Sequence, residues 1–195
     1  MYRYRDFIAV TNRKLCSRPF EEQMERVCAL GPAAVILREK DLTPEEYGRL
    51  GEKVLKICRA FGVDCMYHTF AEEAVKAGVR RIHLPLGTLE ALAGGGDKSP
   101  APKGSRFRDQ FDCIGVSVHS VEEALRAQAL GAAYVTAGHI YATDCKKGAP
   151  PRGLAFLEEV CRAVDIPVWA IGGIGLDGGQ LAEVKARGAA GACVM

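Results

Sequence analysis

The chain has 195 residues, enough for one domain with a substantial core. Lys and Arg number 26 against 24 Asp and Glu, a net charge of +2, too small to suggest a nucleic-acid or membrane surface. No apolar run reaches the roughly 18 residues of a membrane span, and the start, MYRYRDFIAV, lacks a signal peptide's apolar stretch. A cytoplasmic location is expected, with no nucleic-acid or membrane partner.

Along the chain, short apolar runs fall at 7–11 (FIAVT), 33–38 (AAVILR), 63–67 (VDCMY), 81–86 (RIHLPL), 112–118 (DCIGVSV), 133–138 (AYVTAG), 167–173 (PVWAIGG) and 190–195 (AGACVM). They are apolar on both faces, as parallel strands covered by helices are. Segments of helical period separate most of them. In PFEEQMERVCAL a proline stands in the first turn and Gly31 follows the end. The next begins with Thr43 as N-cap, Pro44 at the first helical position and Glu46 completing a capping box. SVEEALRAQALG and LDGGQLAEVKARG repeat the design with closing glycines. Residues 94–110, rich in Gly, Pro and charge, read as a surface loop after a short fourth helix.

Eight βα units spaced by roughly 25 residues predict a single-domain (β/α)₈ TIM barrel over residues 1–195. An open doubly wound sheet is the alternative, but it wants GxGxxG after the first strand, where TNRKLCS stands. The sequence stops inside the eighth strand, so the last loop and helix of a barrel are expected to be missing. None of the eight cysteines forms a CxxC pair. Cys65, Cys113 and Cys193 fall in strands as small apolar fillers, and reduced thiols are expected throughout. Cys145 differs in lying in a polar loop.

Active sites of such barrels lie at the C-terminal strand ends. Those ends carry Arg38-Glu39-Lys40, His68-Thr69, Ser117-Val118-His119-Ser120, the loop GHIYATDCKKGAPPRG and Gly172-Gly173-Ile174-Gly175. Cationic and hydrogen-bonding groups gather on one rim of a nearly neutral protein, which points to an anionic small molecule, best a phosphate. The glycines of IGGIG let backbone N–H groups approach an anion; the simpler reading is a tight turn. Arg38 and Lys40 share one direction at a strand end while Glu39 points aside; the simpler reading is a solvated loop. Thr143, Asp144, Lys146 and Lys147 stand in a loop long enough for a binding element. His119 is either a helix-start residue beside a Ser120 cap or a proton carrier near neutral pH. His83, inside a strand, reads as a satisfied core residue. A zinc site built from His68, His119 and His139 lacks supporting carboxylates, and no metal is expected.

VILREKD, RIHLPLG, GVSVHSVEEAL, GHIYATDCKKGAPPRGL and PVWAIGGI resemble the thiamine phosphate synthase/TenI superfamily over essentially the whole chain. In the synthase branch an Asn-Asp pair after strand three and an acid after strand four serve a magnesium-bound diphosphate. His68-Thr69 and the stretch His83-Leu84-Pro85-Leu86-Gly87-Thr88, which has no carboxylate, stand there instead. LPxG after strand four and GHxxxTDCKKG after strand six resemble the TenI branch, the thiazole tautomerases. That resemblance implies an isomerase that aromatises a carboxythiazole phosphate without metal, second substrate or redox cofactor. His119 would transfer the proton, and Arg38, Lys40, Thr143, Lys146, Gly172 and Gly173 would hold the phosphorylated thiazole. A thiamine phosphate synthase and a non-catalytic thiazole-phosphate regulator remain as alternatives. A homo-oligomer is compatible with the sequence.

Overall fold

A computed structural model of the chain describes residues 4–93, 107–146, 148–176 and 179–195. Eight parallel strands close in sequence order into a barrel. They are β1 (Phe7–Val10), β2 (Ala34–Leu37), β3 (Asp64–His68), β4 (Arg81–Pro85), β5 (Cys113–Val118), β6 (Tyr134–Gly138), β7 (Val168–Ile171) and β8 (Gly191–Val194). The circle closes where Ile8 of β1 pairs with Cys193 of β8.

Seven α-helices lie among the described residues. They are α1 (Phe20–Ala29), α2 (Pro44–Phe61), α3 (Ala71–Lys76), α4 (Leu86–Ala93), α5 (Val121–Ala129), α6 (Gly153–Ala163) and α7 (Gly179–Ala186). Two of the expected helix starts are present as read, while Pro19 stands as the N-cap of α1 and not within its first turn. Thr43 accepts from the Glu46 N–H while the Glu46 carboxylate accepts from the Thr43 N–H. Ser120 caps α5 by accepting from the Glu123 N–H. The expected fourth helix is there but short, at eight residues. Of the expected loop at 94–110, residues 94–106 lie outside the described residues, and Phe107–Gln110 forms a 3₁₀ turn.

Strand alternation divides the apolar residues into two cores. Ile8, Val10, Ala34, Ile36, Met66, Tyr134 and Cys193 fill the inside of the barrel. Residues one step out of phase, including Val35, Leu37, Tyr67, Ile82, Leu84 and Val116, pack under the helices. Tyr134 reaches across the interior where Gly115 has no side chain, since a Cβ there would lie 2.1 Å from its ring. An apolar groove of about 600 Å³ lies beside β1 and α1, lined by Phe7, Phe20, Met24, Val27 and Ile174 among others. No described helix follows β8.

Two contacts set the strand ends. The buried Tyr47 hydroxyl of α2 donates to the Leu37 carbonyl and accepts from the His68 N–H, tying β2 to β3. Glu39, 2% exposed, accepts from the Thr11 hydroxyl at 2.7 Å, the Arg13 N–H at 3.0 Å and the Arg13 guanidinium at 2.9 Å. This clamp joins the ends of β1 and β2.

The α2–β3 packing gives a test. A Cβ on Gly51 would lie 2.1 Å from the Tyr67 hydroxyl, which is buried without a hydrogen-bond partner among the described residues. Helix propensity favours Gly51→Ala by about 1 kcal/mol, but overpacking a tight core costs about 1–3 kcal/mol. The clash should win. Urea unfolding should show Gly51→Ala less stable than native, Tyr67→Phe no less stable than native, and the double variant partly restored.

Candidate active site

Three cations meet at the C-terminal mouth. Arg38 follows β2 half-buried, its N–H donating to Thr11 Oγ1 at 2.9 Å. Lys40 stands two residues on, in the same phase, and Lys146 comes from the 3₁₀ turn Asp144–Lys146. Partial burial holds the Lys40 ammonium below its usual range, and repulsion from Arg38 and Lys146 adds to it. Arg38 and Lys146 therefore each lie close enough to Lys40 to oppose its charge. Neither Glu39 nor Asp41, the acids that flank Lys40, pairs with any of them. The nearby acids are engaged elsewhere: Glu39 with Thr11 and Arg13, Asp41 with Arg13 and Lys14. Such a group is stabilised by an incoming anion. Thr143 begins the same turn, and its carbonyl accepts from the Lys146 N–H. Lys147 and the Cys145 side chain lie outside the described residues.

Below the cations sits a buried polar layer. His68 and His83 stack with ring centroids 5.8 Å apart. Burial lowers the His68 pKa to about 3, with His83, Lys40 and Arg38 contributing, and burial with Lys40 does the same for His83. Both rings are neutral at neutral pH. His68 Nδ1 bonds the Thr69 hydroxyl at 2.7 Å, and Thr69 itself has a positive φ of 69°. His83 bonds Tyr134 through Nδ1 at 2.9 Å and Ser117 through Nε2 at 2.8 Å. The reading of His83 as a satisfied core residue matches this geometry.

His119 is exposed just beyond β5. Its backbone N–H donates to the Glu123 carboxylate at 2.6 Å, and its Nδ1 lies 2.8 Å from the Gly138 carbonyl at the end of β6. A carbonyl oxygen only accepts, so Nδ1 carries the proton and Nε2 presents a bare lone pair when the ring is neutral. The ring thus bridges two adjacent strand ends with its basic nitrogen unengaged among the described residues. His139, by contrast, turns to the Ala149 carbonyl at 3.3 Å.

The glycines after β7 have a packing role as well. Gly172 (φ 101°) and Gly173 (φ 71°) both adopt conformations that disfavour side chains. A Cβ on Gly172 would lie 2.4 Å from the His139 Cβ, and one on Gly173 2.4 Å from the Ala142 carbonyl. The loop after β6 is docked on them, with the Tyr141 N–H donating to the Gly172 carbonyl. The tight-turn reading is therefore satisfied. Among the described residues the N–H groups of Gly172 and Gly173 have no hydrogen-bond acceptor, while that of Gly175 is taken by the Gln180 side chain at 2.8 Å.

The rim thus brings together Arg38, Lys40 and Lys146, and sets His119 at the end of β5 and Gly172-Gly173 at the end of β7, with β6 between them. Sequence reasoning missed the Ser117–His83–Tyr134 connection and the Glu39 clamp. The first had a signal: polar residues at inward-phase positions of otherwise apolar strands. The fit to magnesium is poor. The position where the synthase branch carries Asn-Asp holds a buried, neutral imidazole, whereas magnesium takes oxygen ligands. Glu90 on α4 is paired with Arg126. Among the described residues no three His, Cys, Asp or Glu side chains cluster to hold a metal ion.

The fold and rim define a small (β/α)₈ barrel with a cationic mouth. The model of the thiamine monophosphate synthase family matches residues 7–195. The chain belongs to that family, one of thiamine biosynthesis. A thiamine-phosphate synthase of Roseiflexus castenholzii is 36% identical over 166 residues, 85% of this chain and 68% of that protein. One from Methanoregula boonei is 36% identical over 163 residues, covering 83% and 70%. The solved thiamine phosphate pyrophosphorylase of Pyrococcus furiosus superposes with a TM-score of 0.77 at 26% identity, covering 99% of this chain and 86% of that one. These names are those of synthases and do not single out the TenI branch. No described helix is long and apolar enough to cross a membrane.

The buried histidines make acid stability testable. Their folded pKa values are depressed, so the unfolded chain binds more protons below about pH 6.5. Stability from this source is complete above pH 6.5 and declines toward pH 3, by about 1.4 kcal/mol per pH unit for each ring. Urea unfolding between pH 7 and pH 4 should fall more steeply for native protein than for His68→Gln. Equal slopes would contradict the assignment.

Proposed function

We propose that the protein is a thiazole tautomerase, aromatising a carboxythiazole phosphate by a metal-independent proton shift. The Gly172 and Gly173 N–H groups receive the phosphate, and Thr143 and Lys146 close on it from the loop after β6. Arg38 and Lys40 face the substrate carboxylate. His119 Nε2 takes a proton from the ring carbon, and the resulting imidazolium returns one to the exocyclic carbon. No atom is gained or lost. The Gly138 carbonyl keeps Nδ1–H in place throughout and stabilises the imidazolium. General acid–base transfer of this kind is typically worth about 10²–10⁴ in rate.

One observation carries the reading: the Nδ1 contact to Gly138 leaves Nε2 as the basic nitrogen at a cationic barrel mouth. Neutral imidazole in place of magnesium-binding acids supports it against the synthase. The synthase is the second reading, favoured by the names of the matched relatives. It would join a pyrimidine diphosphate to thiazole phosphate at the same mouth.

The two readings separate in one assay. Purified protein with the carboxythiazole tautomer in EDTA should aromatise it, with a loss of about a hundredfold or more in His119→Ala. Coupling of the pyrimidine diphosphate that needs added magnesium, without aromatisation, would replace this reading by the synthase.

A further inference from the structure

The polar layer beneath the mouth has a direction. Thr136 Oγ1 lies 3.4 Å from Ser117 Oγ, Ser117 Oγ lies 2.8 Å from His83 Nε2, His83 Nδ1 lies 2.9 Å from the Tyr134 hydroxyl, and that hydroxyl lies 3.1 Å from Met66 Sδ. A thioether only accepts, so a hydrogen bond across this contact requires the single phenolic proton of Tyr134 to go to Met66. Tyr134 must then accept from His83 Nδ1–H. His83 Nε2 is left unprotonated and accepts the hydroxyl proton of Ser117. Thr136, 1% exposed, lies 3.4 Å from both Ser117 Oγ and His83 Nε2 and donates within this pair of acceptors.

We infer that His83 is a positioning residue, which holds the Ser117 hydroxyl proton so that Ser117, on the floor of the mouth, offers a ligand only a hydrogen-bond acceptor. Ser117 is half-buried and shares its inward phase with His119 two residues on, so it faces what the mouth binds. A hydroxyl whose proton is committed to His83 has no donor for a phosphate or carboxylate. Anionic groups are therefore kept off the floor and left to the donors above it, Arg38, Lys40, Lys146 and the Gly172-Gly173 amides. The floor and rim together set one orientation for a doubly anionic ligand. His83 does not switch this over the working pH range, because its ring stays neutral there.

The inference rests on the mouth being the substrate site, as proposed above, and its first test does not depend on turnover. Imidazole ¹⁵N NMR of the resting protein should show His83 with a pyrrole-type Nδ1 and a pyridine-type Nε2; the opposite tautomer would reverse the chain and overturn the inference. The second test compares two amides of different reach. Gln at position 83 places its amide near the Nε2 position and can still accept from Ser117, whereas Asn reaches only the Nδ1 position. His83→Gln should keep kcat within about threefold of native, and His83→Asn should lose about tenfold or more in kcat with KM little changed, as misorientation rather than lost binding predicts. Equal losses in both, tracking equal losses of thermal stability, would make His83 merely structural. Absence of turnover in native protein would defeat the tautomerase reading alone. The same order of variants would then be read from calorimetric affinity for the carboxythiazole phosphate product, with native and Gln alike and Asn weaker; no difference between Gln and Asn would again overturn the inference.

Discussion

Closure of eight parallel strands into a ring is the constraint on which the rest depends. Once β8 pairs with β1, every second residue of each strand points inward and its neighbours point to the helices. Inside, Ile8, Ile36, Met66, Tyr134 and Cys193 fill the lower layers. The same phase carried upward presents His68, His83, Ser117 and Thr136, and above them Arg38, Lys40 and His119. A slip of one residue in any strand would exchange these groups for the apolar residues that belong under the helices.

Electrostatics then sorts the layers. A buried imidazole under several cations loses its proton, so His68 and His83 sit as neutral hydrogen-bonding groups and do not add to the charge above. Lys40 feels Arg38 and Lys146 as well as burial, which is the signature of a site whose own charge is incomplete. Glu39 and Asp41 do not relieve it, because the clamp at the first and the pairs at the second hold them on the β1–β2 side. Glycine has a double use at β7: Gly172 and Gly173 let the loop after β6 dock, and their own amides have no hydrogen-bond acceptor among the described residues.

Much of this was legible in the sequence. The two-sided apolar runs marked all eight strands, and capping residues such as Thr43, Glu46 and Ser120 marked helix starts because those side chains act on their own backbone. The rim residues Arg38, Lys40 and His119 followed from strand ends alone. Glu39 could be placed only as pointing aside. Its role needs Thr11 and Arg13, brought close by barrel closure across 28 and 26 residues of sequence. The Ser117–His83–Tyr134 chain was hidden for the same reason, since its members lie 34 and 51 residues apart. Family membership was legible from motifs, whereas the choice between synthase and tautomerase turns on a few side chains that relatives' names do not resolve.

The most direct measurement is a crystal structure with the carboxythiazole phosphate product bound. The account predicts the phosphate on the Gly172 and Gly173 amides, the carboxylate toward Arg38 and Lys40, and His119 Nε2 within about 3 Å of the thiazole or its exocyclic carbon. A phosphate held elsewhere, or an imidazole turned out of the mouth with the ligand in place, would contradict it.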